Sequence, residues 1–149
     1  MNEENLGLHA SMIEKAPEML TNCCDKIYFT GTDLELPAQD SALGLTQGRT
    51  LFISTESFST YVIYHELFHA YDNSNGEPSA NSLEFINAYE ANKQVIPVFA
   101  QYSSSFRSEF FAQAGAMYLI MPFELSIAAP ETYRYYDEVL GLGKQKEMF

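Results

Sequence analysis

The chain of 149 residues has the usual size of one domain, and its 46% hydrophobic content, with ten Tyr and eleven Phe, excludes a disordered polar polypeptide. A formal net charge of −12 with only eight Lys or Arg argues against nucleic acid as a partner, because phosphate binding depends on those cations. No segment reaches the roughly 18 apolar residues of a membrane span, and the glutamate-rich start lacks the pattern of a signal peptide.

Residues 1–25 are predicted to form an N-terminal helical segment. Apolar residues recur at helical spacing over Leu6–Leu20, and Pro17 should interrupt the helix because proline lacks a backbone N–H. The adjacent Cys23 and Cys24 cannot join distant segments, so we expect no disulfide framework. No second cluster with zinc spacing accompanies them, which disfavours a thiol metal site.

Residues 26–57 are predicted to hold the sheet. The runs Lys26–Thr30 and Thr50–Ser54 are rich in β-branched and aromatic residues, the composition of strands. Between them, residues 31–48 contain three glycines and a proline with little periodicity, so we expect a loop that is a candidate substrate contact. One further candidate strand lies at Ala42–Thr46.

The helix predicted over Ser57–Asp72 carries the run HELFH at positions 65–69. Residues four apart on an α-helix differ by about 40° in azimuth, so the imidazoles of His65 and His69 leave one face a turn apart and can bind one ion. Glu66 lies close enough to act on a water at that ion. This pattern is typical of zinc peptidases, and a buried helix that happens to carry two histidines is the alternative.

Residues 58–149 are predicted to be mostly helical. After the HELFH helix, the predicted helices run from Ser79 or Asn81 to about Val95, from Phe106 to Met121, and from Pro130 to Leu140. The second of these three is so apolar that it must be largely buried. Proline should end the first two, at Pro97 and Pro122, and Gly141 should end the last.

A catalytic zinc takes three protein ligands and leaves one position open. Glu109 is the best candidate for the third ligand, because it lies on the apolar helix, where a carboxylate without a partner would be costly to bury. The alternative is that the helix dipole alone stabilises a carboxylate near the start of that helix. His9 is the remaining histidine, but it lies in no recognisable motif and is a weaker candidate.

The motif helix continues after its second histidine as HAYD, and Glu109 opens the run EFFA forty residues after that histidine. Tyr102 lies seven residues before Glu109. This combination, within about Lys26–Leu140, resembles the catalytic domain of anthrax lethal factor and the clostridial Pro-Pro endopeptidases.

The resemblance implies an α+β, zincin-like fold in which a small twisted sheet packs on the active-site helix and the C-terminal half is mostly helical. It implies one Zn²⁺ per chain. The zinc ligands would be His65, His69 and Glu109, and Glu66 would be the general base. Tyr102 would donate a hydrogen bond to the oxyanion. Asp72 and Gln113 would support the zinc ligands.

The resemblance also implies a zinc-dependent endopeptidase that acts on an extended peptide or protein substrate. We expect one domain over residues 1–149, a monomer, and a secreted protein related to toxins. In zinc peptidases of this kind the substrate pairs with an edge strand of the sheet, which we expect at Thr50–Ser54.

The chain departs from the family pattern at two positions. Phe68 stands where the family usually has Gly, and its side chain could narrow the cleft beside the metal. Gln113 stands where the family usually has Glu, which replaces a carboxylate behind the ligands with a neutral amide. These departures keep a second hypothesis open, namely an inactive or non-catalytic zincin-like binding module or a fragment of a larger toxin.

Overall fold

The computed structural model describes residues 2–31, 34–36, 39–56, 58–96 and 107–146, with the backbone alone for the strands within 34–42 and for 145–146. The chain divides into two compact units, residues 1–74 and 75–149, which are described in turn. The expectation of a single domain over the whole chain stays a prediction.

The first unit begins with two helices, α1 (Glu3–Lys15) and α2 (Glu18–Thr21). The side chain of Asn2 caps α1 by accepting a hydrogen bond from the Asn5 backbone N–H. The predicted interruption at Pro17 is confirmed, because the chain leaves the helical conformation at the residue before this proline.

Five short strands follow the helices: β1 (Lys26–Thr30), β2 (Leu34–Leu36), β3 (Gln39–Ala42), β4 (Gly44–Gln47) and β5 (Thr50–Ser54). The first and last of these strands have the bounds predicted from the sequence. Three strands form one sheet in the order β1-β5-β4, with β1 parallel and β4 antiparallel to β5, while β2 and β3 pair separately.

Two predictions about this region were wrong. Most of the expected loop over residues 31–48 forms strands where the structure describes it, although the candidate strand Ala42–Thr46 overlaps β4. β4 and β5 are joined by the two-residue turn Gly48–Arg49, and φ of +61° at Gly48 is the value that a tight type II′ hairpin turn needs at its first residue. The strand Thr50–Ser54 is not an edge strand but the centre of its sheet, because both of its sides are paired.

The helix α3 (Thr60–Ser74) packs against β4 and β5 of the sheet and against α1 and α2. It begins three residues later and ends two residues later than predicted. Its inward side chains, Ile63 and Leu67, are fully buried, as are Leu51 and Ile53 of the central strand. The expected packing of a small sheet on the motif helix is therefore confirmed.

Arg49, in the turn between β4 and β5, hydrogen-bonds to the end of α3 and to the segment that joins α2 to β1. Its Nη1 donates to Ser74 Oγ at 3.0 Å, at the end of α3, and its Nη2 donates to the Asn22 carbonyl oxygen at 2.6 Å. Its Nε donates to Asp25 Oδ1 at 3.0 Å. These contacts tie the end of α3 to the sheet.

The described secondary-structure elements of the second unit are all helices. Its elements are α4 (Pro78–Asn81), α5 (Leu83–Asn92), α6 (Arg107–Ile120), α7 (Pro122–Ala128), α8 (Pro130–Arg134), a π-helix (Tyr135–Val139) and α9 (Leu142–Lys146). The expectation of a mostly helical C-terminal half is confirmed. No described helix in either unit combines the length and the apolar character that crossing a membrane requires.

Three details differ from the predicted helices. The helix expected from Ser79 or Asn81 is divided at Ser82, whose hydroxyl caps α5 by accepting from the Phe85 N–H. Pro122 ends α6 as expected but also starts α7, since a missing N–H costs nothing in a first helical turn. The last predicted helix continues as a π-helix and ends before Gly141, which has φ of +80°.

The core of the second unit is aromatic. The ring centroid of Phe85 lies 5.2 Å from that of Phe111 and 5.3 Å from that of Tyr135, with interplanar angles of 75° and 63°. Residues 110–118 of α6 are all buried, as predicted from their composition. The fully buried Tyr118 donates a hydrogen bond of 2.6 Å to Asp137 Oδ1, and burial raises the pKa of this phenol well above its ordinary value.

Candidate metal centre

The two histidines of the motif meet on one face of α3. Their Nε2 atoms lie 3.2 Å apart, and their ring centroids are separated by 4.8 Å with the planes 74° apart. Both residues are half-buried. The helical spacing therefore produces the convergence that the sequence predicted.

This separation fits a shared zinc ion. Zinc–nitrogen bonds are about 2.0–2.1 Å long, and a tetrahedral angle between two such bonds puts the nitrogens about 3.3 Å apart. The same spacing also suits an N–H···N hydrogen bond between the two rings, depending on their tautomers. The pair is thus compatible with one metal ion.

Glu109 supplies a carboxylate to this pair. One of its oxygens and one ring nitrogen each from His65 and His69 all lie within 4.8 Å of one another, and all three residues are half-buried. Two imidazoles and a carboxylate form a ligand set of catalytic zinc, which keeps a fourth position for water or substrate. The chemistry of these three donors therefore fits the ion that the sequence implied.

Glu66 is buried, with 7% of the residue exposed, and it is held by the sheet. Thr46 Oγ1 on β4 donates to Glu66 Oε1 at 2.8 Å and lies 3.1 Å from the Glu66 carbonyl oxygen. A β-carbon placed on Gly44 of the same strand would lie 2.9 Å from Glu66 Cγ. Neither strand residue is evident from the sequence, where the only local signal is a glycine two positions before a threonine.

The two residues predicted to support the ligands are both buried. Asp72, at the end of α3, and Gln113, one turn after Glu109 on α6, each have 4% of their surface exposed. Their supporting roles stay predictions.

Phe68 is fully buried, so its side chain belongs to the interior and does not line an accessible cleft beside the metal ligands.

The remaining candidates lie outside the cluster. His9 is fully buried on α1 and packs its ring against those of Phe29 and Phe58, at centroid distances of 6.2 and 5.1 Å. It is not among the grouped metal donors of the described residues. Tyr102 lies outside the described residues, so its role as oxyanion donor stays a prediction.

Comparison with known proteins identifies the fold. The sequence matches no protein-family model and no curated protein. Among solved structures, the chain is similar to the Pro-Pro endopeptidase PPEP-2 from Paenibacillus alvei, with a TM-score of 0.75 and 21% sequence identity over 93% of this chain and 92% of that one. The expected resemblance to this group is confirmed at the level of the fold, which is α+β and zincin-like.

Proposed function

We propose that the chain is a zinc-dependent endopeptidase that hydrolyses peptide bonds in an extended peptide or protein. The observation that carries this proposal is the convergence of His65, His69 and Glu109, with the buried Glu66 on the helix of the two histidines. The fold is also that of an endopeptidase, which supports a hydrolase over a purely structural protein.

His65, His69 and Glu109 would hold one zinc ion per chain. When bound, zinc supplies Lewis acidity, which polarises a peptide carbonyl and makes a water molecule easier to deprotonate at neutral pH. As ligands, the two imidazoles would bind through ring nitrogens and the carboxylate through an oxygen, which leaves one zinc position open. Asp72 and Gln113 would hold the ligands in orientation from the buried side.

Glu66 would act as the general base. Its Oε1 is engaged by Thr46, while its Oε2 accepts no hydrogen bond from any residue that the structure describes. The available oxygen can take a proton from the attacking water and pass it to the amine nitrogen as the peptide C–N bond breaks. The phenol of Tyr102 would donate a hydrogen bond to the oxyanion that develops on the attacked carbonyl.

The substrate would bind as an additional strand. β4 has one side paired with β5 and is an edge of its sheet among the described strands. An extended peptide on this edge gains affinity from backbone hydrogen bonds and selectivity from side-chain pockets. We also propose that the chain is a secreted monomer, on the strength of the sequence resemblance alone.

Cleavage of a diverse peptide library tests this function. The library should include Pro-Pro sequences, because the similar structure is a Pro-Pro endopeptidase, and basic sequences, because the chain carries a net charge of −12. We expect cleavage that a chelator stops and added zinc restores. Library peptides that stay intact in the presence of zinc-loaded protein would contradict the proposal.

A non-catalytic binding module is the second candidate, and the amide at Gln113 favours it. A carboxylate behind a metal ligand raises the basicity of that ligand more than an amide does. Gln113, where the family resembled usually has Glu, would therefore activate the metal ligands less. Such a module, alone or as part of a larger toxin, would bind a partner with equal affinity in the wild type and in Glu66→Ala. Partner binding without cleavage would favour this candidate.

A further inference from the structure

We propose that Thr46 and Gly44 of β4 are positioning residues that fix the carboxylate of Glu66 in the orientation needed for general-base catalysis. This inference rests on the proposed endopeptidase function. It assigns a role to two residues outside the motif helix, one through a hydrogen bond and the other through the space that it leaves.

The register of β4 brings these two residues to the same face. Gly44 pairs with Ile53 and Thr46 with Leu51, so they lie two positions apart and point toward α3, whereas Leu45 between them points away. Residues 44 and 46 therefore contact one turn of α3. This turn carries Glu66 between the residues that would hold the metal.

Thr46 holds one oxygen of the carboxylate. Its hydroxyl donates to Oε1 at 2.8 Å, an ordinary O–H···O hydrogen-bond distance, and lies 3.1 Å from the backbone carbonyl oxygen of the same residue. A threonine side chain has few allowed rotamers, and its strand is anchored by pairing to β5. The hydrogen bond therefore fixes Oε1 and directs Oε2 to the reacting water.

Gly44 gives the carboxylate the room to occupy this position. A β-carbon at residue 44 would lie 2.9 Å from Glu66 Cγ, 3.1 Å from its Oε2 and 3.0 Å from Val62 Cγ1. Distances this short force a neighbour to move. Because Thr46 holds Oε1, the displacement would turn the carboxylate about that contact and move Oε2, the oxygen that takes the proton.

The experiment compares Thr46→Val, which removes the hydroxyl at nearly constant shape, with Thr46→Ser, which keeps it. Thr50→Val is the matched control, because the Thr50 hydroxyl makes no hydrogen bond to a described residue. We expect Thr46→Val to lower kcat by about 10- to 100-fold, with KM and zinc content unchanged, since misplacing a catalytic group has effects of this size. The kcat of Thr46→Ser should stay within about threefold of the wild-type value, and the kcat of Thr50→Val should equal the wild-type value.

Gly44→Ala should also lower kcat by about tenfold or more without loss of zinc, because the methyl group displaces the base and not the metal ligands. Its control is Gly7→Ala on α1, where a β-carbon would meet nothing within 4 Å. Crystal structures of Thr46→Val and Gly44→Ala without metal give a readout independent of activity. In both we expect the Glu66 carboxylate to leave its wild-type position.

The outcomes separate this inference from the proposed function. A wild type that cleaves peptides while Thr46→Val keeps its kcat, or a Glu66 carboxylate that stays in place in both variant structures, would overturn the inference alone. A wild type without chelator-sensitive cleavage would overturn the proposed function, and the inference with it. Loss of zinc in Thr46→Val would also overturn the inference, since Thr46 would then support the metal ligands and not the general base.

Discussion

Glu66→Gln is the sharpest test of the general base, because it changes the chemistry of the side chain and very little else. The glutamate is 7% exposed, and truncation to Ala would leave a cavity and deprive Thr46 of its acceptor. An amide has nearly the same shape, and its carbonyl oxygen can still accept from Thr46 Oγ1. It cannot take a proton from water at neutral pH.

The expected loss follows from the size of general-base catalysis, which is about 10²–10⁴ in rate, or about 3–5.5 kcal/mol of transition-state stabilisation. We therefore expect Glu66→Gln to lower kcat/KM for a library-derived peptide by this factor. Zinc content, measured by elemental analysis after dialysis, should be unchanged, because Glu66 is outside the group of three ligands. Glu124→Gln, an exposed substitution on α7, is the matched control.

One result would refute this reasoning. If Glu66→Gln kept kcat/KM within tenfold of the wild type, the glutamate would not be the general base, whatever the metal does. A large loss of activity that accompanies loss of zinc would instead assign Glu66 to metal binding. The two measurements together therefore distinguish the roles.

Three further predictions follow from the site and its surroundings. Glu109→Ala should release zinc on dialysis, and full zinc in this variant would remove Glu109 from the ligand set. Tyr102→Phe should keep zinc but lower turnover by about 10²–10³, the usual cost of one oxyanion donor, and unchanged turnover would contradict that role. Tyr118→Phe should lower the free energy of unfolding in urea by about 1–2 kcal/mol, because it removes the hydrogen bond to Asp137. Burial raises the pKa of Tyr118, so wild-type stability that is present below about pH 10, the unfolded pKa, should be lost as pH rises toward the folded pKa. The same fall in Tyr118→Phe would contradict this assignment.

The sequence predicted elements best where local chemistry decides them. The bounds of β1 and β5 were correct because both runs are rich in β-branched and aromatic residues and turn residues follow or precede them. The interruptions at Pro17 and Pro122 follow from the missing N–H of proline. The convergence of His65 and His69 needed only the geometry of one helix.

Prediction failed where the deciding partner is distant in sequence. The candidate strand Ala42–Thr46 overlaps β4, but its bounds were wrong because Gly-Leu-Thr-Gln has no hydrophobic pattern and forms a strand by pairing with β5 through the turn at Gly48. No feature of Thr50–Ser54 shows that both of its sides are paired. Thr46 and Gly44 lie about twenty residues before the glutamate that they contact, so only the folded chain reveals them as neighbours of the motif.

The turn at Gly48 and Arg49 limits how this chain can tolerate insertions. Side chains alternate along a strand, so a one-residue shift in the pairing of β4 would turn Leu45 and Gln47 toward α3 and remove the hydroxyl from Glu66. A single added residue in the turn should therefore impair catalysis more than most substitutions nearby. We expect active homologues to keep this turn at one length even where their sequences around it diverge.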